Sequence, residues 1–190
     1  MIVDHDLTFL SYNQTINDKF TINEIIESDL WDTDYAYIFE DVGVTGNKNS
    51  YWVNQGNNFS VDTDSTGTTL TEINAGNYTP SNVADSTNWN DHLVFTTGTC
   101  VEFDVSNTNR AMFRVYYGNT QSTIVLENAH YKFKVNIGEI RYWVNNVEQT
   151  PITDPTITGD IIYSFVASND SLISTLKYKN FCIYSMNENV

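Results

Sequence analysis

The feature that most constrains this chain is the strict alternation of apolar and polar side chains in its second half. Residues 101–105 read Val-Glu-Phe-Asp-Val, so three apolar side chains share one parity and two acids share the other. Residues 111–117 and 131–137 alternate in the same way. Because a strand turns successive side chains to opposite faces, this period predicts half-buried β-strands.

Turn residues separate the predicted strands. Gly138 precedes the apolar segment 140–144, and Asn145-Asn146 follows it. Glycine and asparagine tolerate the positive φ that tight turns require. Residues 131–144 are therefore predicted to form a hairpin, with a further strand beginning at Val147.

The rest of the chain carries weaker signals of the same kind. In the last strand the apolar parity changes between Tyr178 and Phe181, which predicts a β-bulge near Lys179-Asn180. Residues 73–90 read as a loop. A capping-box pattern predicts one short helix near 23–30. Further strands are expected at residues 2–10, 35–40, 51–53, 58–61, 68–73, 122–127, 161–167 and 172–184.

Many short strands at intervals of about 8 to 12 residues are typical of a sandwich or barrel. The predicted fold class is all-β, a jelly-roll β-sandwich with at most one short helix. The 190 residues suit one such domain, and their 14% aromatic content argues against disorder. We expect an N-terminal strand or arm at 1–17 and the sandwich at 18–190.

The charge of the chain excludes some classes of partner. With 24 Asp and Glu against 9 Lys and Arg, the net charge is −15. Nucleic-acid binding and a polybasic membrane anchor both need clustered cations, so neither is expected. The N-terminus shows no cationic secretory signal, and no apolar window is long enough to span a membrane. We therefore expect a complete chain made in the cytosol.

Two features could support cysteine or metal chemistry. Cys100 and Cys182 lie in strand-like segments, where they are either two half-buried thiols or a disulfide between neighbouring strands. Asp62 and Asp64 precede Thr66-Gly67 and resemble part of a calcium loop, but no acid stands at the twelfth position. An ordinary acidic turn is the alternative, so no cofactor is expected beyond a weak calcium site.

No catalytic motif is visible in the sequence. Glu102 and Asp104 share one strand face, which resembles the placement of carboxylates in retaining glucanases of this kind of fold. Those enzymes carry a denser acid motif, so a solvated strand face is the alternative. On this basis the chain is predicted not to be an enzyme, with no catalytic residues.

The aromatic residues are the best candidates for ligand contacts. Aromatic rings stack on sugar C–H faces, while Arg and carboxylates hydrogen-bond hydroxyls. By strand parity, one mixed face is predicted to carry Trp143, Arg141, Arg114, Tyr116 and Glu102. Trp52 and Trp89, in Asn- and Gly-rich segments, are added as carbohydrate contacts. The alternatives are a second core layer, a subunit interface, or simple anchoring of loops.

These segments resemble the concanavalin-like or carbohydrate-binding-module jelly rolls found in surface adhesins and in tail or baseplate proteins of tailed viruses. The resemblance is carried by Asp18-Lys19-Phe20 with Trp31, by residues 101–105, and by the closing Leu-Lys-Tyr-Lys-Asn-Phe-Cys-Ile-Tyr at 176–184. The hairpin at 131–147 is similar as well.

The resemblance implies a non-enzymatic, lectin-like module in a virion, as a tail, baseplate or fibre component that contacts host surface glycans. A purely structural or decoration subunit, or a cell-surface adhesin, is the alternative. The partners implied are other virion proteins and copies of the chain itself, as a homo-oligomer and specifically a trimer. A glycan-active hydrolase is the least favoured reading.

Overall fold

The computed structural model describes residues 35–41, 51–81, 83–84, 86–167 and 173–186. The segment Ala36–Ser185 forms one compact unit. The predicted helix at 23–30, the predicted strand at 2–10 and the domain boundary after residue 17 lie outside the described residues.

Fourteen β-strands make up most of the described chain. They are β1 (Tyr35–Asp41), β2 (Tyr51–Asn54), β3 (Phe59–Asp64), β4 (Gly67–Glu72), β5 (Asn77–Ser81), β6 (Thr99–Asn109), β7 (Met112–Tyr117), β8 (Thr120–Val125), β9 (Ala129–Asn136), β10 (Glu139–Val144), β11 (Val147–Glu148), β12 (Ile152–Thr153), β13 (Ile161–Val166) and β14 (Thr175–Met186).

Helical structure in the described ranges is confined to two 3₁₀ turns, Gln55–Asn57 and Trp89–Asp91. No helix in these ranges has the length and hydropathy that a membrane crossing requires.

The strands form two antiparallel sheets, which confirms the predicted jelly-roll β-sandwich. The larger sheet has nine strands in the order β11-β10-β9-β6-β14-β4-β3, with β1 beside β14 and β12 beside β10. The smaller sheet has five, in the order β2-β5-β13-β7-β8. Strands distant in sequence are therefore neighbours, and β6 lies between β9 and β14.

Aromatic side chains from both sheets fill the core. Phe103 of the larger sheet lies with its ring centroid 4.8 Å from that of Phe113 and 5.3 Å from that of Phe165, both of the smaller sheet. All three are fully buried. Removing one such side chain from water stabilises the fold by about 1.5–3 kcal/mol, which explains the need for so many aromatic residues.

The predicted turns and the predicted bulge are confirmed. Asn136 pairs with Glu139 across Ile137-Gly138, and Gly138 has a φ of 80°. Asn145 and Asn146, at φ 49° and 64°, join β10 to β11 as a two-residue turn with positive φ at both positions.

The bulge lies in β14. The register of β14 against β6 shifts between Lys179 and Cys182, and Asn180 has a φ of 54°. A residue inserted into one strand of a pair changes its parity, as the sequence indicated.

The prediction of a loop over residues 73–90 is wrong in part, because β5 lies within it. Pro80 of β5 has no N–H and so argues against a strand. The backbone N of Leu93 donates to the Pro80 oxygen at 2.7 Å, so the backbone groups of Pro80 face away from β2. The missing donor therefore costs the β2–β5 ladder nothing.

Candidate functional site

Four adjacent strands of the larger sheet, β10, β9, β6 and β14, turn one set of side chains away from the core. Val101 and Phe103 of β6 point into the core, so Glu102 between them points outward. The register continues this row across the sheet, from Trp143 to Lys132 to Glu102. We call the outward positions of these four strands the charged face.

Glu102 is the most buried acid of the charged face, with a side chain only 11% exposed. The Tyr184 hydroxyl donates to its Oε1, and the Lys132 ammonium lies 3.1 Å from the same oxygen. Neither contact uses Oε2. Glu102 is thus a firmly oriented carboxylate whose second oxygen is not engaged by these donors.

Asp104 and His130 form a second polar group beside Glu102, because the register of β6 and β9 sets them directly opposite each other. His130 Nδ1 donates to Asp104 Oδ1 at 2.9 Å, and Asn180 Nδ2 donates to Oδ2 at 2.8 Å. The positive φ at the bulge is what brings Asn180 here. The side chains of His130 and Asp104 are 37% and 32% exposed, so solvent and solutes reach the pair.

The electrostatics of this pair favour an ion pair. The hydrogen bond from His130, followed by that from Asn180, lowers the pKa of Asp104 in spite of its burial. The hydrogen bond to Asp104 and the nearby charges of Asp104 and Glu102 raise the pKa of His130 from 6.5. His130 therefore stays protonated at higher pH than a free histidine and can act as a proton donor.

An aromatic ring lies on the same face, two strands away from Glu102. Trp143 is half-buried, and the Arg141 guanidinium lies over its ring at 5.4 Å from the centroid. Arg141 also contacts Glu148 at 2.6 Å. The charged face thus combines a carboxylate, a proton donor and an aromatic surface.

The residues that were predicted to bind carbohydrate lie on two different sheets. Glu102, Arg141 and Trp143 come together on the charged face. Arg114 and Tyr116 instead lie on β7 of the smaller sheet, so the prediction of one shared face is wrong for them. The reason is that β7 pairs with β13 and β8 of the smaller sheet. The alternation of side chains within a strand does not reveal which sheet the strand belongs to.

A second aromatic cluster results on the smaller sheet. Arg114 lies 5.7 Å from the centroid of the Tyr116 ring, and Trp89 meets that ring edge-on at 5.7 Å. The Tyr116 hydroxyl donates to Asn77 Oδ1 at 2.7 Å. Trp89 covers Tyr116 and so anchors its own loop against the sheet.

Trp52 is a core residue rather than an exposed ligand contact. It is 8% exposed and stacks on Tyr78 at 4.5 Å, and its Nε1 donates to Asp41 Oδ2 at 2.6 Å. The Asn- and Gly-rich sequence around it suggested an exposed ligand contact, but Trp52 points from β2 of the smaller sheet into the core. One side of Trp52 and Tyr78 lines a pocket of about 300 Å³.

Asp64, one of the two predicted calcium ligands, contacts other residues of the chain in the structure. Both oxygens of Asp64 contact the Lys177 ammonium, at 2.9 and 3.0 Å, and Asp64 also accepts from Thr66. These bonds, Thr66 first, lower the pKa of Asp64. Asp62 is exposed on the same strand. Within the described residues no group of three His, Cys, Asp or Glu is placed to hold a metal ion.

The two cysteines lie on the charged face but diagonally to each other. Cys182 pairs with Glu102, and Cys100 pairs with Tyr184. Both are buried, and they do not form a disulfide with each other. Burial raises the pKa of Cys100 and keeps its thiol protonated.

His130, Lys132, Tyr184 and Asn180 are the site residues that sequence reasoning missed. The alternation over 131–137 does place Lys132 outward, so half of the signal was present. Alternation does not reveal that β6 pairs with β9 and β14. Strands of the other sheet lie between β6 and each of these partners in the sequence.

Comparison with known proteins gives likeness of fold. No protein-family model and no curated protein matches the chain. A solved structure from work on endo-acting O-glycanases of the human gut microbiota is 10% identical, with a TM-score of 0.51, and the match covers 80% of this chain and 100% of that one.

Two further structures match at similar identity. A galectin-like protein from Bacillus subtilis is 9% identical over 81% of this chain and 98% of its own, with a TM-score of 0.49. The β-glucanase of Bacillus licheniformis is 11% identical over 80% and 97%, with a TM-score of 0.40. The match with a TM-score above 0.5 agrees with the β-sandwich that the two antiparallel sheets form.

These neighbours correct two predictions, that of a non-enzymatic lectin-like module and that of a chain that is not an enzyme. The match with a TM-score above 0.5 comes from work on endo-acting O-glycanases, so this kind of sandwich also occurs in glycan-active enzymes. At identities near 10% they share the fold alone, and a fold used so often for catalysis gives no ground for excluding it. The prediction rested on the lack of a dense acid motif on one strand, and the lack of a motif excludes no activity.

Proposed function

We propose that the chain is a glycan-active hydrolase whose reaction takes place on the charged face. The observation that carries the proposal is the geometry of Glu102 beside the Asp104–His130 pair. A glycosidase needs one group that donates a proton to the leaving oxygen and one carboxylate that acts at the anomeric carbon. Both kinds of group lie on the same outward face of the larger sheet.

The raised pKa of His130 and the contacts of Glu102 support a division of roles. His130 donates its proton to the leaving oxygen, and Asp104 keeps it protonated and oriented. Glu102, held through Oε1 by Tyr184 and Lys132, deprotonates the attacking water with Oε2. The glycosidic C–O bond breaks as the water oxygen bonds to the anomeric carbon.

The spacing of these groups favours a water-mediated reaction. Because His130 lies opposite Asp104, it is diagonal to Glu102 on the neighbouring strand. Diagonal positions in an antiparallel pair are roughly 7–8 Å apart, which lies in the range where inverting glycosidases accommodate a water molecule. The first product formed should therefore have the inverted anomeric configuration, which NMR of a fresh digest can measure.

The decisive experiment measures reducing ends released from a panel of polysaccharides. Glu102→Gln should lower the rate on the order of 10²–10⁴-fold, since it removes the base without changing the shape of the side chain. Glu127→Gln makes the same chemical change at an exposed loop position and serves as the matched control. If the wild-type chain releases no reducing ends from any polymer, or if Glu102→Gln is as active as wild type, the proposal fails.

The proton donor has its own test. His130→Gln should lose activity on polysaccharides but keep most of it on aryl glycosides with acidic phenol leaving groups, which leave without a proton. Activity should fall at high pH as His130 deprotonates. Asp104→Asn removes the group that raises the pKa of His130, so this alkaline limb should move to lower pH. If the alkaline limb of the pH profile does not move, a residue other than His130 donates the proton.

We also propose where this activity is used and in which oligomeric state. The resemblance of residues 101–105 and 176–184 to modules of tail and baseplate proteins supports an enzyme carried in a virion, as a homo-oligomer and specifically a trimer, that acts on host surface glycans. Flanking genes for tail or baseplate proteins would agree with this. Light scattering on the purified chain measures the oligomeric state, and a monomer at micromolar concentration would rule out the trimer.

A further inference from the structure

The lysines and arginines of this acidic chain are concentrated on the charged face. The whole chain has only nine, against 24 acids. Five of the nine occupy outward positions of β9, β10 and β14. They are Lys132, Lys134, Arg141, Lys177 and Lys179.

The acids do not follow the same distribution. The outward positions of β10, β9, β6 and β14 carry three carboxylates, those of Glu102, Asp104 and Glu139. Glu148 of β11 and Asp64 of β3 contact Arg141 and Lys177, so these five cations meet five carboxylates, and protonated His130 adds one further positive charge. The net charge of −15 therefore arises from residues outside this face.

Chance or simple solubility does not account for this arrangement. An acidic chain gains solubility from repulsion between like charges, so grouped cations serve no purpose there. Bridging of neighbouring strands explains some of them, since Lys132 contacts Glu102, Arg141 contacts Glu148 and Lys177 contacts Asp64. Lys179 is exposed at the edge of the Asp104–His130 pair, and it adds positive potential where a substrate would lie.

The positions of Arg141 and Lys132 relative to Trp143 and Glu102 also suit an extended sugar chain. One row of the register runs from Trp143 through Lys132 to Glu102, and Arg141 lies over the Trp143 ring. A sugar ring stacked beside Trp143 would bring a substituent carboxylate within reach of the Arg141 guanidinium or the Lys132 ammonium. Guanidinium and carboxylate form paired, charge-assisted hydrogen bonds.

We infer that the charged face binds an acidic polysaccharide built from uronic acids, with Arg141 and Lys132 contacting the uronate carboxylates next to Glu102. This rests on the proposed function, since it names the substrate class of the same site. A neutral glycan would leave the cations of the face without partners in the ligand. A nucleic acid would be repelled by the acidic surface around so small a positive patch.

The test measures binding rather than turnover. Affinity electrophoresis and calorimetry on the chain with polygalacturonate, with a neutral polymer such as laminarin, with dextran sulfate and with single-stranded DNA separate the ligand chemistries. Polygalacturonate should bind tightest, and its affinity should fall as salt is raised. Equal or tighter binding of laminarin, of the sulfated chain or of DNA would overturn the inference.

A matched pair of variants locates the binding surface. Arg141 and Arg114 each lie over an aromatic ring, but on different sheets. Arg141→Gln should weaken binding of polygalacturonate about tenfold, the loss expected for one charge-assisted contact. Arg114→Gln removes the same charge and should change it less than about twofold. Equal losses for the two variants would show that net charge, not the charged face, governs binding.

The binding result is distinguishable from the result on catalysis. If polygalacturonate binds through Arg141 and no polymer is hydrolysed, the hydrolase proposal fails while the ligand class stands. If laminarin is hydrolysed in a Glu102-dependent way and polygalacturonate does not bind, the hydrolase stands and the inference of an acidic substrate fails.

Discussion

At the scale of single residues, Asp41 links the two sheets through buried hydrogen bonds. Its Oδ2 accepts from Trp52 Nε1 of the smaller sheet at 2.6 Å and from the Tyr178 hydroxyl of the larger sheet at 2.7 Å. Asp41 itself is 6% exposed. Burial first, then the proximity of Tyr78 and Asp41, raises the pKa of Tyr178 far above its usual range, so its hydroxyl remains a donor.

Asp41→Ala should lower the free energy of unfolding by about 2–4 kcal/mol, because it leaves two buried donors without their acceptor. Asp41→Asn retains an acceptor oxygen and should lose less. Urea denaturation followed by tryptophan fluorescence measures both. An alanine variant as stable as wild type would mean that water replaces the carboxylate.

At the scale of elements, two backbone positions with positive φ shape the larger sheet. Asn180 at the β14 bulge turns its amide toward Asp104. Gly67 begins β4 with a φ of 141°, where a Cβ would lie 2.6 Å from the Tyr178 oxygen. The close approach of β4 and β14 therefore depends on a residue without a side chain.

Gly67→Ala should lower the free energy of unfolding by about 1–3 kcal/mol, from the unfavourable φ and the contact with Tyr178. Gly159→Ala is the matched control, since nothing lies within 4 Å of a Cβ there, and it should change stability by less than about 0.5 kcal/mol. Chemical denaturation of both variants measures the difference. Similar changes in the free energy of unfolding for the two variants would show that a side chain at position 67 causes no strain.

At the scale of the whole molecule, the uneven charge distribution has a consequence for stability. Outside the charged face the acids have few cations to offset them, so the folded chain experiences self-repulsion. Solvent ions screen this repulsion over a Debye length of roughly 8–10 Å at physiological salt.

Raising NaCl from about 10 mM to about 150 mM at neutral pH should therefore raise Tm by a few degrees, as measured by calorimetry. Near the pI of about 4.2 the net charge vanishes, and the same addition should change Tm much less. A Tm that falls with salt at neutral pH would show that ion pairs such as Lys132–Glu102 outweigh the repulsion.

The strands, the hairpin at 131–144, the Asn145-Asn146 turn and the β14 bulge were all predictable, because each depends on residues near one another in the chain. Alternation reports which side chains share a face of one strand, and turn residues report where a strand ends. Pro80 misled this reasoning, since its tolerance within β5 depends on which side its backbone faces.

The sequence alone therefore determined a β-sandwich and the outward direction of Glu102, Lys132 and Trp143. Only the tertiary structure decided that these three form one row, that His130 and Asn180 hold Asp104, and that Arg114 and Tyr116 belong to the other sheet. The physical reason is that strand parity is a local property, whereas sheet order arises from the packing of an aromatic core shared by distant segments.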